Sequence, residues 1–152
     1  MLLAQKGSNI MLKQISAFVE NKPGRLTEIL QALATAHVDL KALSLADTTD
    51  FGVIRMIVSD NELAKKVLKE DGVVVRITDI TAVAVPDEPG ALLNALKILS
   101  DNGIAIEYMY AFGEKLGNSS VIAIRTEDPE KTEQVLKNGG IVIPCSSEIE
   151  KM

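Results

Sequence analysis

The chain has 152 residues, enough for one medium domain or two very small ones, with the 47% hydrophobic and 24% charged residues of a globular protein. A net charge of −5 with scattered lysines and arginines argues against a nucleic-acid partner, because phosphate binding requires a basic surface. One cysteine excludes an internal disulfide framework and any paired-cysteine metal site, so we expect a cytoplasmic protein. No apolar stretch approaches the roughly 20 residues of a transmembrane helix.

The first half of the chain contains a regular order of predicted elements after a loose N-terminal extension at residues 1–12. Strands are predicted at residues 14–20, 38–45, 53–58 and 73–77. The first helix follows a Pro-Gly turn, and its apolar residues have the i, i+3, i+4, i+7 spacing of one helix face: Leu26, Ile29, Leu30 and Leu33. The second helix is predicted to begin where Ser59 and Glu62 have capping-box spacing.

The second half repeats this order. Residues 21–26 recur at residues 87–92, a displacement of 66, and a hairpin two residues longer in the second copy moves the displacement to 68. Strands of the second copy are predicted at residues 80–85, 104–111, 121–125 and 141–143. Asp128 and Pro129 mark the start of its second helix. Matches in this order indicate an internal duplication.

The duplicated order of elements predicts an α+β protein. Each copy should form a ferredoxin-like βαββαβ sandwich, with helices on one face of an antiparallel sheet. We place the first domain at residues 13–78 and the second at residues 79–152. The third strands are apolar on both faces, whereas a sheet with one wet face alternates apolar and polar residues. We therefore expect another sheet to cover this face, either within the chain or in a dimer.

Few residues are suited to catalysis. His37, the single histidine, follows the first helix, where an exposed helix-end residue in left-handed geometry is favoured over a ligand or catalytic role. Cys145 has no histidine in its own copy to activate it, so an inert thiol is favoured over a nucleophile. Helix capping explains the carboxylates of Asp60, Glu62, Asp128 and Glu130. We predict no catalytic residue, no metal site and no cofactor.

The Pro-Gly turn after each first strand is the remaining candidate site. Glycine lets backbone approach a ligand closely where a helix begins, and the N–H groups there favour an anion such as a carboxylate. Asn21 and Asp87, just before the turns, could accept a hydrogen bond from an ammonium group. Together these groups match the carboxylate and amine of an amino acid. The alternative is that Pro-Gly only forms the turn, and the residues alone leave both interpretations open.

At these loops the sequence resembles the ACT domain family, the small ligand-sensing modules of enzymes such as phosphoglycerate dehydrogenase, aspartokinase and prephenate dehydratase. The resemblance covers residues 13–147 as two consecutive domains. Its anchors are residues 19–26 and 85–92, followed by the helix-to-strand joints at residues 36–40 and 102–106. The second copy keeps the family's Asp-x-Pro-Gly form, whereas the first has Asn21 in place of the aspartate, and His37 replaces a small residue. Either departure suggests that one of two sites is altered.

The resemblance implies an amino acid bound where one ACT domain meets another. The Pro-Gly loop of one domain would lie on one side, and the start of the neighbouring domain's second strand would form the far wall. The implied residues of the first loop are Asn21, Lys22, Pro23, Gly24, Arg25 and Leu26. Those of the second loop are Asp87, Glu88, Pro89, Gly90, Ala91 and Leu92, and the far walls are Leu40 and Ile106.

We therefore expect a free-standing regulatory protein, not an enzyme, that senses a free amino acid and acts by allosteric coupling. The alternative keeps the fold as a dimerisation or enzyme-modulating module that binds no ligand. The expected partners are the amino acid, a second copy of the chain in a homodimer and an enzyme of amino-acid metabolism. Neither a nucleic acid nor a membrane is expected as a partner.

Overall fold

The computed structural model describes residues 11–47 and 50–152. The chain divides into two compact units, Lys13–Thr78 and Asp79–Met152, and Met11 and Leu12 group with the second unit. Residues 1–10 of the predicted N-terminal extension, and Thr48 and Thr49 of the first predicted hairpin, lie outside the described residues. Within the described ranges, no helix is long and apolar enough to cross a membrane.

The first unit has two helices packed on one face of a sheet. Its elements are β1 (Leu12–Glu20), α1 (Arg25–Thr35), β2 (Leu40–Asp47), β3 (Phe51–Val58), α2 (Asn61–Glu70) and the beginning of β4 (Val74–Pro86). The strand order is β2-β3-β1-β4, and β3 pairs antiparallel with both β1 and β2. Alternate strand residues point to the helices, so the core contains Ile15, Ile54, Met56, Leu33 and Leu68.

The second unit repeats this plan. It contains the end of β4, α3 (Ala91–Asp101), β5 (Tyr108–Ala111), β6 (Ser119–Arg125), α4 (Pro129–Asn138) and α5 (Ser146–Glu150). The strand order is β4-β6-β5, with antiparallel pairing of β6 to both neighbours. Val83, Ile124, Leu99 and Leu136 form its core. The two units confirm the predicted α+β fold with helices on antiparallel sheets.

Strand β4 belongs to both units. The strands predicted at residues 73–77 and 80–85 are one continuous strand of 13 residues, and Thr78 and Asp79, expected to separate them, lie within it. The side chain of Gln14 donates a hydrogen bond to the Thr78 hydroxyl (3.1 Å), which ties β1 to this part of β4 in the first unit. The joint between the repeats is therefore a strand and not a loop.

Two helices are capped by aspartates. The Asp60 carboxylate accepts a hydrogen bond from the Leu63 N–H (3.0 Å) at the start of α2, and Asp128 accepts one from the Lys131 N–H (3.1 Å) at the start of α4. The Asp128 cap confirms the prediction. The predicted cap at Ser59 is wrong by one residue, because the Ser59 hydroxyl instead accepts a hydrogen bond from the Asp39 N–H (2.9 Å).

The second unit differs from the predicted elements in three places. Strand β5 is four residues long, because residues 104–106 leave the sheet and pairing resumes only where the Glu107 N–H bonds the Arg125 carbonyl (2.9 Å). Residues 141–143, predicted as a strand, make a single bridge between Val142 and Ala84. The chain then forms α5, which has no counterpart among the predicted elements.

The sheet face that points away from the helices is also buried at several positions. Strand alternation places Ala42 and Ile57 of the first unit, and Ala82 and Ala123 of the second, on this face. None of the four is more than 4% exposed. Tyr110, which pairs with Ala123, is 9% exposed. The third strand of each repeat, β3 and β6, is therefore buried on both faces at Ile57 and Ala123, in keeping with its apolar sequence.

One core layer differs in polarity between the units. Three threonines of the second unit occupy the repeat positions of Ile15, Val58 and Ala64 in the first. They are Thr81, Thr126 and Thr132, and each is at least 98% buried. The Thr132 hydroxyl donates to the Asp128 carbonyl (2.9 Å) and lies 2.6 Å from the Thr126 hydroxyl. The Thr81 hydroxyl has no hydrogen-bond partner among the described residues.

Candidate ligand-binding loops

The first loop connects β1 to α1 and has a defined backbone. The Asn21 N–H donates to the Asp50 carbonyl (3.1 Å), and the Arg25 N–H donates to the Lys22 carbonyl (3.2 Å). Gly24 has a φ of 86° and occupies the N-cap position of α1. This left-handed conformation favours glycine, so the Pro-Gly sequence determines where the helix begins.

The second loop repeats this backbone between β4 and α3. The Ala91 N–H donates to the Glu88 carbonyl (3.2 Å), as Arg25 does to Lys22, and Gly90 has a φ of 85°. The Glu88 N–H donates to the Pro86 carbonyl at 2.9 Å, the same distance as from Lys22 to Glu20 in the first loop. The two loops therefore share one conformation despite their different side chains.

Both loops present backbone donors at the start of a helix. No side chain caps α1 or α3, in contrast to the aspartate caps of α2 and α4. Within the described residues, the N–H groups of Leu26 and Thr27 have no acceptor, and neither do those of Leu92 and Leu93. Such N–H groups, together with the positive end of the helix dipole, favour an anion. The geometry is suited to a carboxylate.

A cavity of about 140 Å³ adjoins the first loop, on the side of the β2–β3 hairpin. It is lined by Val19, Glu20, Asn21, Lys22, Leu26, Leu45 and Gly52. Three residues of the predicted site are therefore brought together there. Arg25 does not line it, because its guanidinium contacts the Glu28 carboxylate (2.8 Å) and the Asp71 carbonyl (3.3 Å). The other lining residues could not be predicted from the sequence, since they become neighbours only when β1, β2 and β3 pair: Val19, Glu20, Leu45 and Gly52.

The aspartate of the second loop already has a partner. Lys115, in the hairpin between β5 and β6, forms an ion pair and hydrogen bond with the Asp87 carboxylate. The Lys115 ammonium, by its hydrogen bond and its charge, holds the pKa of the Asp87 carboxyl below its ordinary value. Both side chains stay more than half exposed. Of the remaining predicted residues in this loop, Ala91 is buried and Leu92 is half-buried.

The predicted far walls lie at the opposite end of each sheet. Leu40 pairs with Val58 at the end of β3, whereas the first loop adjoins Phe51 at its beginning, seven residues or about 23 Å away. Leu40 and the loop of the same unit therefore do not share a site. In the second unit, Ile106 is half-buried against the core and precedes β5.

A larger cavity of about 590 Å³ lies beside Ile106 in the second unit. It is lined by Gly103, Ile104, Ala105, Glu107, Glu127, Asp128 and Lys131. In the first unit, Asp39 and Ser59 close the corresponding place with two hydrogen bonds of 2.9 and 3.0 Å. The late start of β5 opens the cavity, so its lining could not be predicted from a sequence pattern that indicates a strand from residue 104.

The other candidate residues occupy ordinary positions. His37 is exposed and has a φ of 57°, which confirms the predicted helix-end residue in left-handed geometry. The half-buried Cys145 precedes α5, and its thiol contacts the Glu148 carboxylate (3.2 Å) and the Ser147 hydroxyl (3.0 Å). Across the described residues, no group of three or more His, Cys, Asp or Glu side chains is placed to hold a metal ion.

Comparison with known proteins agrees with this architecture. A family model for an ACT domain pair matches residues 10–145. A crystallised protein from Bacteroides thetaiotaomicron is 41% identical, and the match covers 93% of this chain and 97% of the other with a TM-score of 0.86. A comparison with curated proteins finds no match.

Two further structures share the fold. The regulatory subunit of aspartate kinase from Thermus thermophilus, in a ligand-free form, is 16% identical, with 86% of this chain and 93% of the other covered and a TM-score of 0.63. A structure of aspartokinase alpha and beta subunits is 18% identical, with 84% and 91% covered and a TM-score of 0.56. The chain belongs to the ACT domain family, as a pair of consecutive ACT domains.

Proposed function

We propose that this chain is a non-catalytic regulatory protein that binds a free amino acid at an interface between ACT domains. The observation that carries the proposal is the matched geometry of the two loops. Each loop presents two backbone N–H groups at a helix start beside a polar side chain, Asn21 or Asp87. The N–H groups suit the ligand's carboxylate, and the polar side chain suits its ammonium group.

The cavity beside the first loop supports an amphipathic ligand. Asn21 and Lys22 line one part of it, and Leu26 and Leu45 provide apolar walls. Leu45 remains 51% exposed on the edge strand β2, so this wall is open to solvent. A second ACT domain placed against the edge would bury Leu45 and enclose the ligand, which supports a site at a domain interface.

The partners that we propose are a second copy of the chain and an enzyme of amino-acid metabolism. Leu43 and Leu45, on the edge strand β2 of the first unit, are 42% and 51% exposed, and they are apolar side chains suited to a homodimer contact. The enzyme partner is supported by fold alone, since regulatory subunits of aspartate kinase share it. The single cysteine is compatible with a reducing cytoplasm.

Thermal unfolding with each of the twenty amino acids tests the ligand. A ligand that binds the folded state at 100 times its dissociation constant should stabilise it by about 2.7 kcal/mol, and the melting temperature should rise accordingly. We expect one or a few chemically related amino acids to raise it. The double variant Asn21→Ala with Asp87→Ala should lose this rise, because both ammonium acceptors are removed.

The control is a second double variant with the same change of residue types, Asn138→Ala with Asp101→Ala. Both residues are exposed and lie at the C-terminal ends of α4 and α3, away from the loops. This variant should keep the rise in full. No rise with any amino acid would contradict the sensor. The exposed apolar set on the first unit would then favour the second candidate, a dimerisation or enzyme-modulating module without a ligand.

A further inference from the structure

The hairpin between β5 and β6 places a cation on the second loop. Lys115 lies just before a tight turn that is closed by two hydrogen bonds of 3.0 Å between the backbones of Leu116 and Ser119. Its ammonium reaches the carboxylate of Asp87, 28 residues earlier in the chain. The turn therefore fixes the backbone from which Lys115 extends to the loop.

The sequence of the corresponding hairpin in the first unit has no equivalent cation. This hairpin is two residues shorter, and the sequence from Ala46 to Phe51 contains no lysine or arginine. Asn21, at the position of Asp87, carries no charge and cannot form an ion pair. The two loops share one backbone, and an ammonium held on the residue before the Pro-Gly turn, Asp87, is one chemical difference between them.

Lys115 carries the same chemical group as the ligand that the loop is proposed to bind. A lysine side chain and an amino acid both end in a primary ammonium that donates hydrogen bonds to a carboxylate. In the proposed function, Asp87 accepts from the ligand's ammonium. A ligand must then displace Lys115 from Asp87 before its own ammonium can bind.

We propose that Lys115 is an intramolecular competitor for the ligand's ammonium at the second loop. This inference rests on the proposed function, and it adds a device that lowers the affinity of one of the two loops. The ion pair is more than half exposed, and exposed pairs are weak. The competition therefore changes the affinity by a modest factor and tunes the second loop without closing it.

Titration of the whole chain with free glycine tests whether Lys115 competes with the ligand. The titration is followed residue by residue in two-dimensional ¹H–¹⁵N NMR spectra. Glycine has both backbone groups of every amino acid and no side chain, so it probes the loop alone. The amide of Gly24 reports on the first loop and that of Gly90 on the second. In Lys115→Gln, the concentration of free glycine that gives half of the full shift of the Gly90 amide signal should fall by about two- to fivefold. The value for Gly24 should stay unchanged.

Acetate separates competition from general charge effects. It has the carboxylate but no ammonium, so Lys115→Gln should leave its binding at Gly90 unchanged or slightly weaker. Lys97→Gln is the matched control, since it removes an exposed lysine from α3, the helix that follows Gly90. This variant should leave the glycine titration of both loops as in the unmodified chain.

Three results of the glycine titration would contradict the proposed competition, and each can be told from the others. If Gly24 and Gly90 both respond to glycine and Lys115→Gln changes neither, Lys115 does not compete and the proposed function stands. If Lys115→Gln weakens the binding of free glycine reported by the Gly90 amide, Lys115 assists binding of the ligand's carboxylate. If neither amide responds in any variant at the highest soluble glycine concentration, the proposed function fails and the competitor fails with it.

Discussion

Gly24 and Gly90 have φ angles of 86° and 85°, in the left-handed region that other residues disfavour. A Cβ atom added at either position would meet nothing within 4 Å. Glycine is therefore required there by the backbone angle and not by lack of space. The consequence is a loop whose donors are placed by main-chain geometry, so that Asn21 and Asp87 can differ without altering the helix start.

Asp87 provides a prediction about pH. Its folded-state pKa is lowered, first by the hydrogen bond from Lys115 and then by the charge of Lys115. A lowered pKa means that the pairing stabilises the fold above the unfolded-state pKa and that this contribution is lost as pH falls through the folded-state pKa. We expect Lys115→Gln to raise the Asp87 pKa towards its ordinary value. A ¹³C NMR titration of the Asp87 carboxyl measures the shift.

Urea unfolding of both proteins checks the sign of this linkage. The unmodified chain should be more stable than Lys115→Gln at neutral pH, and the difference should disappear in acid, once Asp87 is protonated in both. An Asp87 titration midpoint that is identical in the two proteins would show that the ion pair is absent in solution.

The contacts of charged side chains could not be predicted from the sequence. The position of Arg25 in the Pro-Gly loop predicts a place in the ligand site, yet its side chain contacts Asp71, 46 residues later. Lys115 and Asp87 are likewise distant in sequence. The loops themselves were predictable, since proline and glycine limit the backbone through local sterics. Which ion pairs form depends on the packing of elements, which no local pattern contains.

At the scale of elements, the buried threonines of the second unit, Thr81, Thr126 and Thr132, lead us to predict a stabilising substitution. Thr81 is 2% exposed, and its hydroxyl has no hydrogen-bond partner among the described residues. A buried hydroxyl without a partner costs free energy, and valine has nearly the same shape. We expect Thr81→Val to raise the free energy of unfolding by about 1 kcal/mol. Equilibrium unfolding in urea measures the change.

Thr132→Val is the matched control and should have the opposite sign. Its hydroxyl donates to the Asp128 carbonyl and contacts the Thr126 hydroxyl, so its loss leaves the buried Thr126 hydroxyl without this partner. We expect this variant to lose about 1–3 kcal/mol. Equal destabilisation by both substitutions would mean that Thr81 has a hydrogen-bond partner in solution, such as a buried water molecule.

The elements of the first unit were more predictable than those of the second. Helix faces and Pro-Gly turns are local, and the repeat supported each assignment twice. Strands require partners, and here the sequence was insufficient. Residues 141–143 have the apolar character of a strand, but they make only one bridge, to Ala84, within the described chain. Residues 104–106 are similarly apolar, yet they leave the sheet before β5 begins.

At the scale of the whole molecule, the exposed edge of the first unit predicts self-association. Leu45 on β2 is 51% exposed beside the first cavity. A lysine there would place a charge in the proposed dimer contact, which is costly without a partner. We expect Leu45→Lys to weaken dimerisation by at least about tenfold. Sedimentation velocity over a range of protein concentrations measures the dissociation constant.

Leu93→Lys is the control for this measurement. Leu93 lies on α3 and is 54% exposed, so the substitution changes the same residue type at nearly the same exposure. It should leave the dissociation constant unaltered. A chain that sediments as a monomer at all concentrations, or two variants with equal effects, would rule out the β2 edge as the contact.

Strand β4, which runs through both repeats without interruption, also limits how the gene can change length. Val75 and Ile77 point into the first core, and Val83 and Val85 point into the second, so all are odd-numbered positions of one strand. Insertion of one residue between Ile77 and Val83 would reverse the side-chain alternation downstream. Val83 and Val85 would then point away from the second core. Insertion of two residues would preserve the alternation. Diverging copies of this gene should therefore tolerate only insertions or deletions of an even number of residues in β4 between the two repeats.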